Sequence, residues 1–153
     1  MQGGLSPAPD TQEGFARTRL EAEGRTLETG APVTAAVALG DRVVTAHGDG
    51  ALRLFEGSAP ARAVTAHRGV ILSMAAAGDA AVVTGGDDGR LLRVSTDGAV
   101  EELAEFGRGW VDCVAAHGAT GLVACSVGKA VHVWRPGAAR PETFEHPSTV
   151  GGL

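Results

Sequence analysis

VILSMAAAGDAAVVTGGDDGRLLRVST, residues 70–96, holds the pattern from which the architecture follows. It reads as three short apolar runs separated by two glycine-bearing turns. Val82-Val83-Thr84 is a β-branched run of the kind buried on both faces, whereas Leu92 and Val94 flank Arg93, so one face of that strand meets water. Between these two runs stands Asp88-Gly89. An Asp-Gly pair there signals a hairpin, because glycine takes φ > 0 without steric cost.

Stacking this stretch on the rest of the chain shows a repeat. VTAAVALGDRVVTAHGDGALRLFEG (33–57) and WVDCVAAHGATGLVACSVGKAVHVWRP (110–136) have the same order of strand, turn, strand, turn, strand. Val44 and Val123, Arg53 and His132, Phe55 and Trp134, and His67 and His146 each stand 79 positions apart, two steps of 39 and 40. A period in this range marks a tandem architecture. The middle unit wobbles by one residue: Val44, Val83 and Val123 step by 39 and then 40, but Arg53, Arg93 and His132 step by 40 and then 39. The extra residue is expected in the middle unit's turn, GDDG (86–89), opposite HGDG (47–50). The third unit has SVGK (126–129) without the Asp, and this turn is expected to be looser. A weaker fourth strand is read in each unit, at 61–65, 99–104 and 142–145. Four antiparallel strands per repeat of this length describe one blade of a β-propeller, and the fold class is all-β.

Composition sets the outer bounds. The chain has 153 residues, 44% of them apolar and 20% charged, which fits one globular domain. No apolar run approaches the length of a membrane span and the first 25 residues have no secretory pattern, so the expected location is cytoplasmic, without a membrane partner. A net charge of −5, with one lysine (Lys129) among 13 basic residues, gives no basic stripe, and nucleic acid is not an expected partner. Cys113 and Cys125 form neither a disulfide framework nor a CxxC motif.

From about residue 25 onward the chain resembles the tryptophan-aspartate (WD) repeat β-propellers. In that family a Gly-His pair precedes each innermost strand, an Asp sits in the turn between second and third strands, and a Trp closes the third. Here Ala66-His67 and Glu145-His146 stand for the first feature and Asp49 and Asp88 for the second. Phe55, Ser95 and Trp134 take the Trp position, and Gly107 replaces one His. The resemblance implies a bonded group of His67, Thr84 and Asp88 that satisfies buried polar atoms between blades.

The expected architecture is a leader over 1–24 and propeller blades at about 33–67, 70–104 and 110–145, with the start of a fourth innermost strand at 148–153. Residues 25–28 align with an outermost strand. Three blades do not close a ring of 4 to 8. The expectation is therefore the opening part of a ring of seven, with about 160 residues further on at the same period. Association of copies is the other way to close it. The leader is expected to be disordered. Its stretch Gly14–Leu20, with one aromatic and two arginines, is a lesser candidate for a docking segment.

The five histidines, His47, His67, His117, His132 and His146, show no HxxxH or His-x-His grouping, and no nucleophile or phosphate-loop motif is present. No cofactor, metal or catalytic residue is assigned. The expected function is a non-enzymatic scaffold whose rim loops, 47–50, 86–89, 126–129, 66–69, 107–110 and 146–148, meet a protein partner or the missing blades of the ring. The resemblance implies this rim. Arg68, Arg108 and Trp110 are its candidate anchors, since Arg and Trp dominate interface energetics; Trp110 reads equally as core filler at the start of its strand. The alternative is a small molecule or metal ion in the central channel, with His47 and His67 near its mouth.

Overall fold

The computed structural model describes residues 16, 18–57 and 62–153. Most of the leader, including part of Gly14–Leu20, lies outside them, as does residue 61. Among the described residues twelve strands form three separate four-stranded antiparallel sheets, each in meander order. Blade 1 comprises β1 (Val33–Leu39), β2 (Arg42–His47), β3 (Ala51–Glu56) and β4 (Arg62–Thr65). Blade 2 comprises β5 (Ile71–Ala76), β6 (Ala81–Gly86), β7 (Arg90–Ser95) and β8 (Val100–Glu105). Blade 3 comprises β9 (Cys113–His117), β10 (Leu122–Val127), β11 (Ala130–Trp134) and β12 (Glu142–Glu145). The innermost strands β1, β5 and β9 lie side by side, so the blades fan from one axis in an unclosed ring.

Because side chains alternate across a strand, each blade has two faces, and both are apolar. Toward blade 2, blade 1 turns Val44, Ala46, Leu52 and Leu54; these pack on Ile71, Met74, Val82, Leu92 and Val94. Blade 2 turns Val83 and Leu91 the other way, onto Val111, Val114 and Cys125 of blade 3. The core is thus two inter-blade layers.

The pairing register corrects the sequence alignment. Both of the first two hairpins have three-residue turns, 48–50 and 87–89, closed by the pairings Ala46↔Leu52 and Gly85↔Leu91. No extra residue sits in the second. Thr45 opposes Arg53 and Thr84 opposes Leu92, so the counterpart of Arg53 is Leu92 rather than Arg93. By the same offset the counterpart of Phe55 is Val94, and Ser95 does not take the Trp position. The length change lies in blade 3, where Val127 pairs directly with Ala130. That turn, Gly128-Lys129, is tighter than the others, not looser. Gly128 has φ 59° and no described non-glycine residue has positive φ, the pattern of a type II′ turn. Losing one turn residue shifts face assignment along β10, so Val123 faces blade 2 while Val44 and Val83 face onward.

Other boundaries differ as well. Residues 25–28 are exposed and form no strand, and 148–153 form none either. An outermost or innermost strand exists through ladder bonds to a neighbour, and neither segment forms such a ladder with a described strand. Residues 148–153 do follow the line of a next blade's entry: Val150 N–H donates to Gly128 O at 2.9 Å. Ahead of blade 1, one helical turn, α1 (Arg19–Glu23), is held by a reciprocal cap between Thr18 and Glu21 and buries no residue.

The blade junctions satisfy their polar groups differently. In blade 2, His67 Nδ1–H donates to Asp88 Oδ1 at 2.8 Å, and Thr84 Oγ1–H donates to His67 Nε2 at 2.9 Å. Asp88 also accepts from the backbone N–H of Arg68 and Arg90. Burial pushes the Asp88 carboxyl up, but the bonds from His67 and these two amides outweigh it and hold it below the ordinary value. In blade 1 no histidine stands at the equivalent place. Instead His47, fully buried and 39 positions before Gly86, turns its Nε2 to Thr45 Oγ1 at 2.7 Å and its Nδ1 to Ala31 O at 3.3 Å. Asp49, relieved of an imidazole, pairs with Arg53 at 2.8 Å.

Among the described residues, two faces have no blade against them. On blade 1 these side chains include Ala36, Val43 (43% exposed) and Phe55; on blade 3 they include Ala115, Ala124, Val133 and Phe144 (49% exposed). Apolar sheet faces of this kind drive association. The 153-residue chain is expected to self-associate with rising concentration, and Val43→Lys with Val133→Lys is expected to return it toward the monomer mass in sedimentation equilibrium. His67→Ala would strand the buried Thr84 hydroxyl and open a gap, at a cost of about 2–4 kcal/mol in urea unfolding. Because the folded chain binds the Asp88 proton more weakly than the unfolded chain, this carboxylate stabilises fully above the unfolded-chain value near 3.8 and loses its contribution as pH falls through the lower folded value. Asp88→Asn should therefore flatten the acid limb of stability against pH, and leave little change if the carboxylate carries no such linkage.

Candidate functional site: the turn rim

One edge of the blade fan is built from the turns between second and third strands and the links between blades. The two sets interleave through close backbone approach. Ala66 and His67 N–H donate to Gly50 O, Phe106 N–H donates to Gly89 O, and His146 N–H donates to Lys129 O, at 2.8–3.1 Å. Gly50 (φ 78°) and Gly89 (φ 76°) make this possible: the backbone is left-handed there, and a Cβ would collide with carbonyl oxygens of the link crossing it, those of His67 and Gly69 at Gly50 and that of Gly107 at Gly89. The rim therefore runs as turn 48–50, link 66–69, turn 87–89, link 107–110, turn 128–129, link 146–150.

Arg68 is exposed, with its backbone fastened to Asp88 Oδ2 at 3.0 Å. Arg108 and Trp110 are exposed on the next link, and Trp110 is 58% exposed. The core-filler reading of Trp110 is overturned: β9 begins three residues later, at Cys113, and the neighbouring core position is taken by Val111, fully buried. Lys129, exposed at the tip of the third turn, belongs to the same edge and was not singled out from sequence. The signal for it was present, since a Gly-Lys pair between apolar runs places the lysine at the second corner of a type II′ turn.

The remaining candidates lie inward or apart. His67, Thr84 and Asp88 form the buried group described above. Asp49 is held down to about 2, chiefly by hydrogen bonding from Arg53 against a small opposing effect of burial, and is a fixed anion at the rim. Phe55 is half-buried on the free face of blade 1. Trp134 packs edge-on to Phe106 at 6.5 Å, and His132 lies tilted over Phe106 at 4.7 Å. This aromatic group stands in blade 3 where blade 2 has its histidine group. His146 is exposed, with no side-chain hydrogen bond among the described residues, so it repeats the position of His67 without its surroundings.

Chemistry at these residues is limited by what they already bond. Both ring nitrogens of His47 and of His67 are engaged, so neither turns a free lone pair to the axis. Burial pushes the Cys125 thiol up to about 12, which makes it an unreactive apolar group against blade 2. Among the described residues no three His, Cys, Asp or Glu side chains converge at metal-binding distance. No described helix is long and apolar enough to cross a membrane.

No family model matches the chain, and no curated protein matches it. Solved structures do. The chain is similar to a chain in the crystal structure of the mitotic checkpoint complex, at 17% identity and TM-score 0.67 over 78% of this chain and 41% of that one. It is similar also to U3-55K, at 18% identity and TM-score 0.68 over 82% of this chain and 43% of that one. The chain spans less than half the length of either. At this identity the likeness shows the fold, and the chain is an all-β, propeller-type array of three four-stranded blades.

Proposed function

We propose that this chain is a non-enzymatic scaffold of the cytoplasm that presents its turn rim to a protein partner, while its two free blade faces meet further blades. The observation that carries the reading is Trp110: an indole 58% exposed, placed between Arg108 and the third turn, with Val111 beneath it filling the core position beside it. An aromatic of this size left in water on a rigid link has a binding use, since it supplies large contact area with little rotamer entropy to lose. The fold is common to many functions, so it is this edge, not the architecture, that supports the assignment. Partners seated on propellers have a ready platform here, because the glycine-mediated crossings at Gly50 and Gly89 fix each link against a turn.

The channel alternative is disfavoured by the engaged nitrogens of His47 and His67. A protein interaction at the rim needs no such lone pair. Affinity capture with the chain as bait, quantified by mass spectrometry, tests the reading: Trp110→Ala with Arg108→Ala should lower partner recovery roughly 30-fold or more if the pair acts as an interface anchor. Recovery unchanged from the parent chain, with the fold intact by circular dichroism, overturns it.

A further inference from the structure

We infer that the segment received by this rim is acidic: an extended stretch of a protein partner bearing several carboxylates and at least one apolar side chain, laid along Arg68, Arg108, Trp110 and Lys129. The inference rests on the rim being the partner surface and adds the chemistry of what it accepts. Its basis is a mismatch between the charge of the chain and the charge of this edge. The chain carries 18 acidic residues against 13 basic ones. Yet among the described residues of the rim, the charged side chains that are exposed and make no ion pair or side-chain hydrogen bond are Arg68, Arg108 and Lys129, all cations.

The rim's own carboxylates are occupied or sheltered. Asp49 is bonded to Arg53 and to the Ala51 amide. Asp88 is consumed by His67 and two backbone amides. Asp87 and Asp112 are half-buried. Of the remaining exposed acids on the outermost strands of blades 2 and 3, Glu102 and Glu142 are paired with Arg90 and Arg135, and Glu101 lies opposite Arg93 away from the turns. Glu105 and Glu145 stand at the rim ends of β8 and β12, opposite Arg90 and Ala130, where they flank the cationic links and turns. The backbone crossings place the three cations on two successive links and one turn of a continuous edge, with Trp110 on the same link as Arg108. Such an array attracts an acidic strand, guides its approach and gives it an apolar anchor. A nucleic acid fits less well. Three cations would release only about three counterions, and the acidic outer strands would repel a long polyanion.

The experiment uses the whole chain and a short fluorescein-labelled peptide rich in Glu with a Leu-Phe pair at its centre. The controls are the same peptide with Lys or Gln in place of every Glu, and a labelled oligo-uridine. The Glu peptide is expected to bind saturably, to shift tryptophan emission in the parent chain but not in Trp110→Phe, and to weaken at least about tenfold in the Arg68→Glu, Arg108→Glu, Lys129→Glu variant. Since these side chains are exposed, a matching thermal midpoint shows that the variant is folded. Equal binding of the Lys or Gln peptide, tighter binding of oligo-uridine, or Glu-peptide binding that survives the triple reversal each overturns the acidic assignment. A captured partner that depends on Trp110 but contacts the rim through a neutral or basic segment would overturn this inference and leave the rim reading standing.

Discussion

A four-stranded sheet of this size cannot keep water off both of its faces, and that constraint organises everything else in the molecule. Val44, Leu52 and Leu54 are buried only because Val82, Leu92 and Val94 stand opposite; Val83 and Leu91 are buried only because Val111, Val114 and Cys125 do. The stability of each blade is therefore a property of the pair, as in other tandem architectures where neighbours supply the interface. The same constraint explains the apolar faces left at the two ends. They repeat the composition of the inner layers because they are made by the same strand positions.

Within that frame the chain meets one recurring problem, a polar gap at the junction of each blade with its incoming link, in three ways. Blade 2 fills it with His67 on the incoming link, tied to Thr84 and Asp88. Blade 1 supplies an imidazole from the strand itself, where His47 stands at the place of Gly86. The exchange is steric as well as chemical, because a Cβ on Gly86 would run into the His67 ring and the Asp88 carboxylate. Blade 3 abandons the polar solution, with a glycine at 107 and the stacked Phe106, His132 and Trp134 in its place. Burial in that stack lowers the His132 pKa, only partly offset by Glu145. Three different residue sets thus close three equivalent gaps, which accounts for the weak match to any single repeat signature.

The rim is free to specialise because it takes little part in this packing. Its backbone is fixed by the crossings at Gly50 and Gly89, while the side chains of Arg68, Arg108, Trp110 and Lys129 point into solvent and bury no core surface. The layers carry the stability, so substitutions of these edge side chains are expected to leave the blades packed.

The three repeats, their four-strand content and the hairpin turns at Asp49 and Asp88 were legible in the amino-acid sequence, since period-two alternation and Asp-Gly turns are local signals that survive without a partner. The bonded group of His67, Thr84 and Asp88 was reached through a family likeness, and the atoms do meet. The register was misread where it depended on counting alone: Ser95 for Val94, Arg93 for Leu92, and an extra residue placed in the second turn instead of one missing from the third. Which of two adjacent residues faces a core is set by hydrogen-bond pairing across strands, and a one-residue slip leaves the linear pattern looking nearly the same. Trp110 shows the same limit. Its composition suited core or surface equally, and only the seating of Val111 beneath blade 2 decided for the surface. Local sequence determined the elements, and tertiary contact decided their faces, because burial is a relation between strands that no single strand encodes.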